Sequence, residues 1–210
     1  MKPKLIIFAS GTATSGGSGF EKLCLAKQSG ELNAEIVAVV SNRENGGVRK
    51  HAQTYGIPFI YFNGPWTSEE YQKIIKDTGA EYVSLSGGLR LLTGLDPRKT
   101  FNIHPGPLPQ FGGQGMYGHH VHEAVMDAYH KGEATHSGVT MHFVTGEYDK
   151  GPTILSIPIE ISPDDTPETL GKKVNQQEHL WQAKITDMVV NGKISWDGKN
   201  PDSIVGAIIK

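Results

Sequence analysis

Short apolar runs alternate with amphipathic stretches through the first half of the chain. Residues 5–9 are an unbroken apolar run of strand length, as expected of a strand buried on both faces. Residues 10–19 form a glycine-rich turn. Residues 20–29 carry Phe20, Leu23, Cys24 and Lys27 at helical spacing, with Gly30 as the stop. A β-branched strand is predicted at 36–40, a short helix closed by Gly56 at 48–55, and a short strand at 59–62. Residues 68–78 predict a helix that opens with Glu69 and Glu70 and ends at Gly79. Further strands are expected at 82–85 and 100–103. This βαβ rhythm predicts an α/β fold: a doubly wound, mostly parallel central sheet with helices on both faces.

The second half changes character. Residues 110–118 are a loop with four glycines, and 119–131 predict a helix. Strands are expected at 138–144 and 153–159, joined by the polar segment 145–151. Pro158 has no N–H to donate, so the latter strand should be an edge or carry a bulge. Thr166 and Pro167 have the character of a helix cap and a first helical residue. That helix should run to about Val190 and bury Leu170, Val174, Trp181, Ile185 and Met188. The tail from Asn191 is rich in glycine and lysine and weakly patterned. With no internal repeat, low-complexity tract or long linker, residues 1–210 are expected to form one domain.

Composition narrows the function. The net charge is −2, from 20 Lys and Arg against 22 Asp and Glu, so no basic excess marks a nucleic-acid or membrane surface. The single cysteine, Cys24, cannot form an internal disulfide and falls in an apolar helix pattern, which suits a small buried hydrophobe. The apolar run after Lys4 is too short for a signal peptide or a membrane span. A soluble cytoplasmic protein is the expectation.

The most telling chemistry is Asn102-Ile103-His104-Pro105. Side chains alternate along an extended segment, so Asn102 and His104 share a face, and Pro105 keeps His104 extended. An amide donor beside an imidazole at a strand end suits a reaction in which a carbonyl oxygen gains negative charge. The glycine-rich turn follows a strand and opens a helix, where backbone N–H groups can cradle a phosphate. It nearly fits a P-loop from Gly11 to Ser18, but Gly17 stands at the lysine position. The dinucleotide fingerprint fails at Lys22, so a single phosphate monoester is the better match. Histidines 104, 119, 120, 122, 130, 136 and 142 raise the question of zinc, but His122-Glu123-Ala124-Val125-Met126 has methionine where a second ligand is needed. No metal is expected, and His119, His120, His122 and His130 read as a polar loop and an exposed helix face. Thr140 and His142 alternate onto one strand face, and Asp149 sits in a glycine-bounded turn.

In combination, Asn102-Ile103-His104-Pro105, Thr140-x-His142-Phe143-Val144 and Asp149-x-Gly151-Pro152 resemble the catalytic core of the folate-dependent formyltransferases. The resemblance covers nearly the whole chain. It runs from Ser10-Gly11 and Gly17-Ser18-Gly19-Phe20, through Ser41-Asn42 and Gly88-Leu89-Arg90-Leu91-Leu92, to Gln177-Glu178-His179. It implies a Rossmann-like formyltransferase fold with a phosphate-binding half at about 1–100 and a catalytic, folate-binding half at about 101–210. It further implies that Asn102, His104 and Asp149 are catalytic and that Gly17, Ser18 and Gly19 hold the substrate phosphate. By the same resemblance Glu178 contacts the acceptor's ribose, and Arg90, Leu91 and Leu92 line the pterin pocket largely through backbone groups. Thr140 and His142 are then supporting residues. The implied reaction moves a formyl group from the co-substrate 10-formyltetrahydrofolate to the primary amine of glycinamide ribonucleotide in purine biosynthesis. It needs no metal, and the protein is expected to be a monomer or homodimer without nucleic-acid or membrane partners.

Three departures bear on acceptor contacts more than on chemistry: Gly106-Pro107-Leu108-Pro109 where the family commonly has Ser-Leu-Leu-Pro, a glycine-richer loop at 111–118, and extra residues from Thr12 to Gly16 in the phosphate turn. Alternatives within the family are a formyltetrahydrofolate hydrolase, which usually carries an N-terminal regulatory domain for which a sheet starting at Leu5 leaves no room, and a sugar-nucleotide formyltransferase. A methionyl-tRNA formyltransferase would need a C-terminal β-barrel and a basic surface. A non-catalytic phosphate- or nucleotide-binding module would explain the glycine turn but leave Asn102, His104 and Asp149 without a role.

Overall fold

A computed structural model describes residues 1–12, 16–87 and 90–209. The elements follow the order β1 (Lys4–Ala9), α1 (Ser18–Ser29), β2 (Glu35–Ser41), α2 (Gly47–Tyr55), β3 (Phe59–Tyr61), α3 (Ser68–Thr78), β4 (Tyr82–Ser86) and β5 (Thr100–His104). Then come α4 (His119–His130), β6 (His136–Phe143), β7 (Thr153–Glu160), α5 (Pro167–Val190) and β8 (Ile208–Ile209). One eight-stranded sheet runs β3-β2-β1-β4-β5-β6-β7-β8. β6 is antiparallel to both its neighbours, and the other pairings are parallel.

The apolar run of β1 shows why the sheet is covered on both sides. Leu5, Ile7 and Ala9 cluster with Phe20 and Leu23 of α1, Val48 of α2, Val125 of α4 and Val174 of α5. Ile6 and Phe8 point the other way, to Tyr71 of α3 and to Val83 and Leu85 of β4. Each such aliphatic or aromatic side chain contributes roughly 1.5–3 kcal/mol on full burial. Strand alternation and helical spacing therefore agree on one doubly wound architecture. Helix ends follow the local chemistry: Thr67 caps α3 through Glu70 N–H, Thr166 and Thr169 cap each other at the start of α5, and Gly56 and Gly79 close α2 and α3 in the left-handed region.

Cys24 is 1% exposed, and burial pushes its thiol up to about 12, so it stays protonated as a small core side chain. Pro158 is exposed, and β8 covers only Leu155 and Ser156 of β7, so the outer side of the strand is open at the proline. Two expectations need correction. Trp181 and Met188 are only partly buried, because they flank the α5 stripe that Leu170, Val174 and Ile185 bury fully. The weakly patterned tail is built into the fold. Ile194 and Trp196 are buried, the Trp196 ring lies 5.6 Å from that of Phe143, and β8 extends the sheet. A two-residue strand is too short to show a period.

The β6–β7 connection is pinned by a close backbone approach. A Cβ on Gly151 would collide with the main-chain oxygen of Phe143. Gly151→Ala is expected to cost about 2–3 kcal/mol and to lower the thermal unfolding midpoint by roughly 5–10 °C; an unchanged midpoint in calorimetry would contradict this packing.

Candidate active site

The order of the sheet reverses between β1 and β4, and ligands of open α/β sheets bind at the carboxyl ends of strands at such a point. A cleft of about 450 Å³ opens there and extends across the ends of β5 and β6. Asn102, His104, His142 and Asp149 line its reacting side; Gly17, Ser18, Gly19 and Glu178 line another wall, and Arg90, Leu91 and Leu92 a third.

Strand pairing assembles the first group. Antiparallel β5 and β6 set Asn102 opposite His142 and His104 opposite Thr140, and alternation turns all four side chains to one face. Asp149 reaches them from the β6–β7 turn and is the only non-glycine with positive φ (54°) among the described residues. Aspartate tolerates the left-handed region better than most side chains. Its Oδ2 accepts the N–H of Gly113 at 2.9 Å and lies 3.8 Å from His104 Nδ1, while Oδ1 lies 3.3 Å from His142 Nε2.

Main-chain carbonyls assign the imidazole protons. His104 Nε2 is 2.7 Å from the oxygen of Phe111, which can only accept, so Nε2 carries a hydrogen. His142 Nδ1 is 2.8 Å from the oxygen of Phe143 and carries one for the same reason. His142 Nε2 then faces both the Asn102 amide nitrogen at 3.1 Å and Asp149 Oδ1 at 3.3 Å. The Asn102 amide nitrogen carries two hydrogens and lines the cleft. Thr140 does not line the cleft; its hydroxyl donates to Gly106 O at 2.8 Å and steadies the loop after His104.

Burial lowers the pKa of His104 against the pull of Asp149. For Asp149, burial works upward, but hydrogen bonds with His142 and Gly113 and the nearby His104 outweigh it and hold the carboxyl below the usual range. The resting state is an ionised Asp149 beside a neutral His104. A negative charge arising next to the pair would favour protonating the imidazole.

The second wall is the start of α1. Gly17 has φ 81° and caps the helix without a side-chain hydrogen bond. A Cβ on Gly17 would stand 2.9 Å from Val48 Cγ2, and one on Gly47 would strike Gly16 O, so the α1 turn lies directly against the start of α2. Helix N-termini favour anions through exposed N–H groups and the macrodipole. Of the longer phosphate turn from Thr12 to Gly16, residues 13–15 lie outside the described residues.

α5 supplies a stripe. Gly171, Asn175, Glu178 and Gln182 recur at helical spacing along the cleft. Gln182 stands against Gly19, where an added Cβ would come within 2.6 Å of Gln182 Oε1. Burial pushes the Glu178 carboxyl up to about 7, opposed by the Asn175 amide at 3.2 Å.

The third wall is apolar with backbone polar groups. Leu85, Leu92 and Val144 line it, Leu91 N–H donates to Tyr148 Oη at 3.0 Å, and the Tyr71 hydroxyl donates to Leu91 O at 3.5 Å. The Arg90 guanidinium lies 5.7 Å from the centre of the Trp66 ring. Gly88 and Leu89, which belong to the same motif, lie outside the described residues.

Sequence reasoning missed Tyr148, Asn175 and Gln182, although the α5 spacing that links Gln182 to Glu178 is legible. It also misplaced His122. His119, His120 and His130 are exposed as expected, and the first two pair with Glu123, but His122 is 7% exposed. The reason is helical: His122 shares a face with buried Val125 and Met126. Among the described residues, no group of three or more His, Cys, Asp or Glu is arranged to hold a metal ion.

Residues 3–186 match the formyl transferase family. A chloroplastic phosphoribosylglycinamide formyltransferase of Arabidopsis thaliana is 33% identical over 96% of this chain and 73% of its own length. The phosphoribosylglycinamide formyltransferase of Bacillus subtilis is 31% identical over 87% of this chain and 92% of its own. The solved phosphoribosylglycinamide formyltransferase of Coxiella burnetii superposes with a TM-score of 0.80 at 28% identity, covering 100% of both chains.

Glu178 makes stability depend on pH. Its folded pKa of about 7 lies above the ordinary 4.5, so its contribution is full below 4.5 and is lost as pH rises through about 7. The wild-type unfolding midpoint is expected to fall relative to that of Glu178→Gln over this interval; parallel profiles would place the carboxyl in water.

Proposed function

The chain belongs to the formyl transferase family, and on that footing we propose that it transfers a formyl group from 10-formyltetrahydrofolate to the primary amine of glycinamide ribonucleotide, a step of purine biosynthesis. The carrying observation is the convergence of Asn102, His104 and Asp149 on one side of a cleft whose other wall is an open helix N-terminus. A hydrolase needs only water beside its folate. The length of this cleft, from the trio along α5 to α1, suits a phosphorylated acceptor.

The third wall fits a reduced pterin. Leu85, Leu92 and Val144 offer apolar surface to a flat ring, and the main chain around Leu91 offers donors and acceptors at its edge. Arg90 lies at the cleft lining beyond them. 10-Formyltetrahydrofolate supplies an electrophilic formyl carbon when bound there.

Asn102, whose amide nitrogen lies 3.1 Å from His142 Nε2, directs an amide N–H at the formyl oxygen. His104, ending β5 beside it, stabilises the same oxygen as negative charge grows, taking a proton that Asp149 stabilises. Asp149 relays the proton lost by the attacking amine, through water, to the departing folate nitrogen. One carbon–nitrogen bond forms as the other breaks, and the proton passes between the two nitrogens. Ser18 and Gly19 at the head of α1 anchor the acceptor phosphate, and Glu178 meets its ribose, so amine and formyl group are held in contact.

Mixing the protein with 10-formyltetrahydrofolate, with and without glycinamide ribonucleotide, tests the reading. Tetrahydrofolate release only in the presence of the amine is expected. Release without the amine would identify a hydrolase, and none in either case a binding module. Asn102→Ala and Asp149→Asn are each expected to lower kcat on the order of 10²–10³-fold with unchanged circular dichroism. Near-wild-type turnover in either variant removes the role assigned to that residue.

A further inference from the structure

His122 is a buried polar group that the reaction above does not use. Its ring borders the cleft from α4, and its Nδ1 is enclosed without a hydrogen-bond partner. An imidazole in this position forfeits bonds that water would have supplied to the unfolded chain, and such groups call for an explanation. Burial, with His119 and His104 nearby, depresses its pKa to about 4. The ring is therefore neutral near pH 7, with one N–H and one lone pair.

The ring meets α5 at the one stripe position without a side chain. A methyl group on Gly171 would stand 2.9 Å from His122 Cδ2 and 3.2 Å from Nε2, so a glycine there leaves room for the Nε2 edge. Along α5 the stripe continues through Asn175 and Glu178 to Gln182, which stands against Gly19 of the phosphate turn. From Gly171 to Gln182 the helix rises about 16 Å. An acceptor with its phosphate at Gly19 and its ribose at Glu178 would therefore carry its glycinamide arm towards Gly171, His122 and the trio. That arm presents one carboxamide oxygen.

We propose that His122 is an acceptor-binding residue whose Nε2–H donates a hydrogen bond to the carboxamide oxygen of glycinamide ribonucleotide, with Gly171 kept bare to seat the ring. This rests on the formyl-transfer reading. The tautomer leaves a bare lone pair, and no N–H, at the enclosed Nδ1.

Steady-state kinetics of His122→Leu, His122→Gln and Gly171→Ala test the assignment. His122→Leu removes the donor and is expected to raise KM for glycinamide ribonucleotide about tenfold, with KM for 10-formyltetrahydrofolate held within about twofold. His122→Gln returns an amide N–H near the place of Nε2 and recovers most of the loss. Gly171→Ala displaces the ring and raises the acceptor KM in the same way. Removing a buried, unpaired polar group leaves the unfolding midpoint of the free protein unchanged or higher. An unchanged acceptor KM in His122→Leu, or an equal rise for both substrates with a lowered midpoint, overturns the assignment and makes His122 a packing residue. A wild type that transfers no formyl group to the amine overturns the formyl-transfer reading and this assignment with it. A wild type that does so while His122→Leu matches it overturns this assignment alone.

Discussion

The antiparallel register of β5 and β6 is the constraint on which the site depends. It sets the Asn102 amide across from the His142 ring and brings His104 beside them, and a slip of one residue would turn the set into the core. Two main-chain carbonyls, of Phe111 and Phe143, then hold one hydrogen on each ring. Both rings aim their remaining nitrogen at Asp149, so the two imidazoles are coupled through a single carboxylate. On His104 burial prevails over attraction, and on Asp149 hydrogen bonding prevails over burial. The trio rests one proton short of an ion pair, which suits a reaction that builds negative charge and then removes it.

The rest of the cleft divides the work between sheet and helices. The polar trio belongs to β5 and the turn after β6, with His142 of β6 beside it. The wall towards Leu92 depends on two phenols, Tyr71 and Tyr148, that hold the backbone of Leu91 from both of its polar groups. The wall towards the α1 turn depends on glycines at 17 and 47 that let two helix starts lie together. The tail joins in at a distance: Trp196 packs on the Phe143 ring, next to the carbonyl that faces His142 Nδ1.

Much of this was legible in the chain because it follows from local rules. Among the described residues, apolar runs and helical spacing located the five α-helices and all strands but β8, though not the short 3₁₀ turn at Pro201–Ser203, and the alternation of Asn102 with His104 and of Thr140 with His142 gave their shared face. What was not legible depended on packing between distant segments. His122 read as polar and exposed, though its spacing to Val125 and Met126 contained the opposite signal. Tyr148 carried no pattern, since its function depends on a loop 57 residues away. Trp181 and Met188 are apolar by type, but the helix has more apolar width than the sheet can cover. The strand at Ile208–Ile209 is fixed only by the open edge of β7.

α5 is a 24-residue rod, capped by Thr166 at one end and tied to the sheet along its length. In the proposed reaction several of the groups that meet the acceptor are spread along it at a constant pitch, while those that handle the transferred carbon are on β5 and the turn after β6. Recognition and reactivity are therefore written on different parts of the chain. Exchanging a few side chains on the rod could redirect such a scaffold to another amine without disturbing the reacting centre, whereas inserting a single residue into it would turn the remaining groups by about 100° and erase the acceptor altogether.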